Sequence, residues 1–298
     1  MLNNPLVELA EAKSYRDLLD SYAAYDLDAI AEVAHLLRRQ ESYSIALSLY
    51  LYLLAHQDNV DFHYGIGVCY GKTYQYQAAL NHLTQAFQDD RTEGSHYYAY
   101  ILERNQLMEQ ANRWYEYALS HGYDSDLWTL SHYAYFLEKY NQPEAAEQAY
   151  RTVLERNPNY SWAIKRYAIF LLRQHQIDRS IQLMQSALEQ SGNTPFMQIN
   201  YLEYLIIRGD RVAYENYLNS IEYDRLALPF QTVIDLFDYF WRYLLVGATH
   251  SEKLAAYCRK TQQLQDSIHR DFDDLNQLLT ERGGELQTWQ QLTQCLIK

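Results

Sequence analysis

The residues of this chain that could do chemistry are its carboxylates, histidines and cysteines, and their spacing matches no catalytic motif. The 298 residues include 38 aspartates and glutamates, ten histidines and three cysteines. The sequence has no GxSxG, no HExxH, no glycine-rich phosphate loop and no kinase-type set. No two carboxylates stand at a spacing specific to acid–base catalysis. We therefore predict a protein that is not an enzyme and has neither a cofactor nor a metal site.

The histidines and cysteines have simple structural interpretations. His96 and His132 fall on two different predicted helices, where half-buried structural histidines are commoner than ligands. Cys69, Cys258 and Cys295 are far apart and form no CxxC pair, which indicates a reducing compartment. The start of the chain lacks the basic segment of a signal peptide, and no uncharged run reaches the ~18 residues of a membrane span. We expect a soluble, cytoplasmic protein.

The net charge of −13 excludes several classes of partner. Nucleic-acid binding needs a basic patch, and adhesion to anionic lipid needs clustered cations. Only ten glycines and five prolines occur, and no linker separates segments, so we expect one continuous body. The 30 tyrosines need half-exposed inner surfaces, because a tyrosine has an apolar ring and a polar tip. A stack of helices supplies such surfaces.

A small residue recurs twice in each of five predicted helix pairs. The first-helix positions are Ala34, Gly67, Ala99, Ala134 and Ala168, and the second-helix positions are Ala46, Ala79, Ala111, Ala146 and Ser180. Twelve residues separate the two positions in every pair, whereas successive pairs are 32 to 35 residues apart. Two helices in close contact through small residues have a fixed register, while a surface loop gains or loses a residue cheaply.

Larger residues recur beside these small anchors. They are Leu37, Tyr70, Leu102, Leu137 and Leu171 on the first helices, and Tyr50, Leu83, Tyr115, Tyr150 and Met184 on the second. A helix-turn-helix period of about 34 residues with these anchors resembles the tetratricopeptide repeat family. The resemblance implies an all-α fold, a right-handed α-solenoid of stacked antiparallel helix pairs.

The pattern divides the chain into three parts. Residues 1–26 are expected to form an N-terminal helical cap or half-repeat. Residues 27–221 hold five repeats and one degenerate repeat, in which Leu202 and Tyr214 replace the two small residues. Residues 222–298 are expected to form a C-terminal helical extension. It serves either as a polar-faced cap of the stack or as a dimerisation or partner-docking face.

The resemblance also implies a concave groove lined by the first helices. The predicted partner-binding residues are Tyr64, His96, Tyr100, Glu103, Trp128, Ser131, Tyr135, Glu138, Trp162 and Lys165. Tyrosine and tryptophan give large contact areas with little loss of rotamer entropy, and Glu103 and Glu138 would select basic residues. The alternative is that the tyrosines only pack between adjacent first helices.

A basic residue stands five positions after each first small residue. These are Arg39, Lys72, Arg104, Lys139 and Arg173. They could form a basic track for an acidic partner, or they could complement the negative ends of the helices. The Lys/Asn/Arg clamp with which some family members bind chaperone tails is not matched, since Lys165 is the only groove lysine in its column and Ile169 stands at its partner position.

The resemblance implies a non-enzymatic protein–protein interaction scaffold. It would act as an adaptor, assembly factor or chaperone-like protein that holds a partner segment in an aromatic and partly acidic groove. The segment would carry basic and apolar residues. The alternative is a peptide-responsive regulator, or an inhibitor protein that blocks a partner enzyme. No nucleic-acid or membrane partner is expected.

Overall fold

The computed structural model describes residues 4–88, 91–191, 194–245, 251–264, 270, 272–284 and 286–296, and they form eighteen α-helices with no strand among them. The predicted all-α fold is thereby confirmed. The chain has two compact units, Met1–Gln142 and Pro143–Lys298, which are taken separately below. Among the described residues, no helix combines the length and apolar character that crossing a membrane requires.

The first unit contains nine helices within its described residues. They are α1 (Pro5–Glu11), α2 (Tyr15–Ser21), α3 (Leu27–Arg39), α4 (Tyr43–His56), α5 (Val60–Lys72), α6 (Tyr76–Ala86), α7 (Ser95–Arg104), α8 (Met108–Ala118) and α9 (Leu127–Lys139). The predicted pairs α3–α4, α5–α6 and α7–α8 all make extensive contacts, and so do the consecutive helices α4 and α5. Helix α1 packs on α2 and α3 and so adjoins the first pair.

The small anchor residues are buried in both units. The alanine anchors and Ser180 are completely excluded from solvent, and Gly67 is buried too. A Cβ atom at Gly67 would lie 2.6 Å from Cγ of Leu83 and 3.2 Å from the carbonyl oxygen of Ala79. The second helix therefore packs directly on the backbone of the first, as the constant twelve-residue offset predicts.

The turn after each first helix has a feature that the sequence pattern did not reveal. Seven residues after the first anchor stand Glu41, Tyr74, Gln106, Asn141 and His175, all with φ between 58° and 64°. The following N–H donates to the carbonyl oxygen five residues back, at 2.8–3.0 Å. This is the Schellman ending of a helix, in which glycine is the usual left-handed residue. The degenerate repeat has Gly209 at the same position, with φ 77°.

The second unit also contains nine helices within its described residues. They are α10 (Pro143–Arg156), α11 (Ser161–Arg173), α12 (Ile177–Gln190), α13 (Pro195–Arg208), α14 (Arg211–Ser220), α15 (Leu228–Tyr239), α16 (Ser251–Gln263), α17 (Asp273–Glu281) and α18 (Leu286–Gln294). Helix α13 contacts α11, α14, α15 and α17. The helix pair predicted on either side of Asn141–Pro143 has its turn at the boundary between the two units.

The C-terminal helices share a hydrophobic core with the last repeats. Trp289 of α18 is completely buried and lies 4.7 Å from Phe240 and 5.5 Å from Phe272, measured between ring centroids. The same apolar cluster continues through Leu202 and Tyr214, the two residues that replace small anchors in the degenerate repeat. Residues of the predicted extension therefore complete the core of the second unit. The predicted boundaries at residues 26 and 221 stay predictions.

Candidate protein-binding surface

The first helices of the first unit bring several predicted groove residues together in an aromatic cluster. The indole of Trp128 on α9 lies 5.4 Å from the His96 ring and 5.7 Å from the Tyr100 ring, both on α7. His132, one turn after Trp128, lies 4.1 Å from the indole. All four side chains are half-buried. We call Trp128, His96, Tyr100 and His132 the aromatic face.

Burial keeps His96 and Tyr100 of this face uncharged. Burial lowers the pKa of His96, and the nearby Lys72 lowers it further, against an opposing effect of Asp126. Burial also raises the pKa of Tyr100 well above its ordinary value. At neutral pH the face therefore presents a neutral imidazole and a neutral phenol beside an indole. Such a surface suits apolar and aromatic side chains.

Tyr64 lies on α5 and is half-buried among cations. The guanidinium of Arg91 lies 4.4 Å from the centre of its ring, and that of Arg38 lies 5.6 Å away. Arg91 also donates to Asp61 at 2.7 Å. The ring of Tyr64 therefore already makes cation–π contacts within the protein.

Three other predicted groove residues of the first unit are internal. Glu103 is 5% exposed and accepts from the Tyr115 hydroxyl and from Nζ of Lys139, both at 3.1 Å. Tyr135 is 6% exposed, and Nζ of Lys139 lies 4.2 Å from the centre of its ring. The buried hydroxyl of Ser131 donates to the carbonyl of Leu127. Glu138, by contrast, is half-buried near the end of α9.

The two predicted groove residues of the second unit differ in exposure. Lys165 is only 1% exposed, and its ammonium donates to Glu203 at 3.0 Å. Trp162 is half-buried, and the guanidinium of Arg166 lies 5.2 Å from the centre of its ring. Lys165 is thus buried between α11 and α13. Glu203 balances its charge there, as a buried ammonium requires.

Four of the five residues in the basic series lie against groups of the protein itself. Lys139 pairs with Glu103 and Arg173 pairs with Asp274, at 3.1 and 2.9 Å. Nζ of Lys72 lies 5.5 Å from the centre of the Tyr97 ring, and the guanidinium of Arg104 lies 4.8 Å from that of Tyr76. These internal contacts count against a continuous basic track, and complementation of the helix ends stays a prediction.

His132 and Tyr123 belong to the aromatic cluster but were absent from the predicted set. The ring of Tyr123 lies 4.2 Å from that of His96. A signal for His132 existed, since it stands four residues after Trp128 and so on the same side of the helix. Tyr123 lies in an irregular turn after α8, whose shape no periodicity predicts. Among the described residues, no three His, Cys, Asp or Glu side chains converge as a metal site would require.

Comparisons with known proteins agree with the repeat pattern. Residues 137–196 match the model of the tetratricopeptide repeat. A comparison with curated proteins gives no match. A tetratricopeptide repeat protein from Parabacteroides merdae ATCC 43184 has a TM-score of 0.58 at 12% identity, covering 91% of this chain and 99% of its own.

Two further solved structures share the fold. Pseudomonas aeruginosa PilF has a TM-score of 0.50 at 14% identity, covering 67% of this chain and 91% of its own. MamA from Desulfovibrio magneticus RS-1 has a TM-score of 0.50 at 13% identity, covering 56% of this chain and 97% of its own. Identities this low establish the fold alone. The predicted resemblance is confirmed: residues 137–196 match the tetratricopeptide repeat by sequence, and the fold of the chain is similar to that of a solved tetratricopeptide repeat protein.

Proposed function

We propose that the protein is a non-enzymatic scaffold that holds a segment of a partner protein against the aromatic face of its first unit. Folds of this family generally serve protein–protein interaction. The observation that supports the proposal most is the cluster of Trp128, His96 and Tyr100 on two successive first helices. Half-exposed aromatic side chains that already hold one another in place lose little entropy when a partner packs on them.

The chemistry of the face indicates the kind of segment that it binds. His96 and Tyr100 of the aromatic face are neutral, so with Trp128 they provide contact area for apolar side chains. Glu138 lies near the end of the same helix as Trp128 and supplies a carboxylate for a basic residue of the partner. The net charge of −13 would also attract a basic segment over longer distances. Glu103 is buried and bonds to Lys139, so we do not assign it a contact with the partner. The role would be that of an adaptor, an assembly factor or a chaperone-like protein.

A peptide library displayed on phage tests the proposal, because selection from random sequences requires no identified partner. Peptides selected on the wild-type protein are measured against Trp128→Ala and against Tyr117→Ala. Tyr117 is a matched control, since it is a half-buried aromatic residue on α8, a second helix. We expect Trp128→Ala to weaken binding at least about tenfold, as loss of an aromatic anchor does, and Tyr117→Ala to leave it nearly unchanged.

Circular dichroism of both variants shows whether the helices are retained. Selected peptides that bind Trp128→Ala as tightly as the wild-type protein would contradict the proposal. Peptides that lose binding only to Tyr117→Ala would indicate that the binding surface lies on the second helices.

A further inference from the structure

Helix α17 lies against the first helices of the last two repeats. Its Asp274 is 2% exposed, and each carboxylate oxygen accepts a hydrogen bond from α11. Nη1 of Arg166 donates to Oδ2 at 2.5 Å, and Nη2 of Arg173 donates to Oδ1 at 2.9 Å. Arg173 also donates to Gln277 at 2.8 Å. The sequence predicts this side of α11 to face a groove, and a segment of the chain itself covers it.

The surface that α17 covers is basic, although the protein as a whole is acidic. Arg166 and Arg173 of α11 provide two cations, and both bond to Asp274. Lys165 pairs instead with Glu203 on α13, to which Arg270 also bonds. Without Asp274, Arg166 would lose the carboxylate that it bonds in a buried position, which is costly. The surface of α11 and α13 beneath α17, called here the α11/α13 face, therefore binds a carboxylate from outside these two helices through Arg166 and Arg173.

The apolar half of the contact is less complete. Leu275, Leu278 and Leu279 of α17 are buried, and they follow Asp274 at the spacing of one helix face. A cavity of about 340 Å³, open to solvent, nevertheless borders α17, lined by Ile169, Leu172, Ile207 and Leu278 and by polar side chains that include Arg173 and Gln277. The side of α17 along this cavity is therefore not packed against α11 and α13. Asp274 supplies the charged hydrogen bonds of the contact.

We propose that the α11/α13 face is a binding surface for an acidic amphipathic helix, and that α17 is its occupant in the free protein. A partner helix with a carboxylate followed by leucines one and four positions later would take the place of α17. Arg166 and Arg173 would bind its carboxylate, and the cavity would receive its larger side chains. This surface lies in the second unit and does not depend on the function proposed for the first.

Amide hydrogen exchange on the full-length protein tests whether α17 opens separately. In Asp274→Asn, which retains the shape but not the charge, we expect α17 to exchange at least about tenfold faster while α13 changes little. Thr280→Ser on the exposed side of the same helix is the control and should behave like the wild-type protein. Equal acceleration of α17 and α13 would overturn the proposal, because α17 would then be an inseparable part of the core.

A labelled synthetic peptide of residues 272–284 tests the binding surface directly. It should bind Asp274→Asn at least about tenfold more tightly than the wild-type protein, in which α17 competes, and more weakly as salt is added. A peptide with asparagine at position 274 should bind about tenfold less. Equal binding of the two peptides, or binding to neither protein, would overturn the proposal.

Two further results decide the remaining cases. If Asp274→Asn does not fold, exchange in the wild-type protein at low urea still answers the question, since α17 should open at a lower free energy than α13. Equal opening energies would refute the proposal. If Asp274→Asn forms dimers that the peptide cannot dissociate, the face binds a second copy of the chain. That result would overturn the assignment to a partner helix.

Discussion

The hydroxyl of Ser180 donates to the carbonyl oxygen of Ala168 across 2.7 Å. These are the two small anchors of the fifth repeat, twelve residues apart, and neither has any exposed surface. The hydroxyl of Tyr204 lies 3.1 Å from that of Ser180, so the contact extends to the next first helix. A side chain that reaches a backbone carbonyl of the neighbouring helix shows how little space separates α11 from α12.

This contact predicts a graded response at Ser180. Ser180→Ala should lower the free energy of unfolding by about 1 kcal/mol, because Tyr204 loses a buried partner. Ser180→Leu should cost about 1–3 kcal/mol, because the larger side chain forces the two helices apart. Urea unfolding followed by circular dichroism measures both. The exposed Ser186→Ala on the same helix is the control, and an effect of Ser180→Leu no larger than that of the control would contradict the close contact.

The left-handed turn residues predict a stabilising substitution. Gln106 is exposed and has φ 63°, a left-handed conformation that is strained for a residue with a Cβ atom but not for glycine. Gln106→Gly should raise the free energy of unfolding by about 0.5–1 kcal/mol, net of the greater freedom that glycine gives the unfolded chain. Gln75→Gly is the matched control, since Gln75 has φ −89° and should lose stability. Thermal unfolding of the two variants should shift in opposite directions.

Burial of His96 predicts that acid weakens the first unit. Its folded-state pKa lies below the unfolded value of about 6.5, so the unfolded chain binds more protons between the two values. The stability contributed by neutral His96 is fully present above the unfolded pKa and is lost as the pH falls towards the folded pKa. Burial also lowers the pKa of His35 and His82, which adds to the effect.

Urea midpoints at about pH 7.5 and about pH 5.5 measure this loss, and the difference between them should be smaller in His96→Gln than in the wild-type protein. His35 and His82 should leave part of the difference in place. An NMR titration of His96 with a midpoint at or above the ordinary histidine value would contradict the prediction.

The helix pairs could be predicted from the sequence because each depends on local contacts. Ala34 meets the helix of Ala46 twelve residues away, and the repetition of this offset in five pairs made the register visible. The left-handed residues of the turns were not foreseen because Glu41, Tyr74, Gln106 and His175 are not glycines. Their constant position, seven residues after each anchor, was nevertheless present in the sequence.

The candidate site was less predictable, because exposure depends on distant residues. The family pattern assigns Lys165 and Glu103 to a groove, but it does not say what covers them. Glu203 stands 38 residues after Lys165, and Asp274 stands 108 residues after Arg166. No periodicity relates such positions, so only the packing of α13 and α17 shows that Lys165 and Arg166 are internal. Trp128 and His96, in contrast, keep part of their surface exposed, and their role in binding stays a prediction.

The buried pair of Lys165 and Glu203 yields a prediction that separates structure from partner binding. Lys165→Met should lower the free energy of unfolding by about 2–4 kcal/mol, since a fully buried carboxylate would keep Arg270 as its cation but lose the ammonium. The double variant Lys165→Met/Glu203→Gln should lose less free energy of unfolding than the two single variants together, because the two side chains interact. The exposed pair of Arg211 and Glu215 is the control, and Arg211→Met should change stability by at most about 0.5 kcal/mol. Urea unfolding measures all four variants. If Lys165→Met left stability unchanged and altered only peptide capture, Lys165 would be a surface residue of the groove after all, and the burial that assigns it to the interior would be refuted.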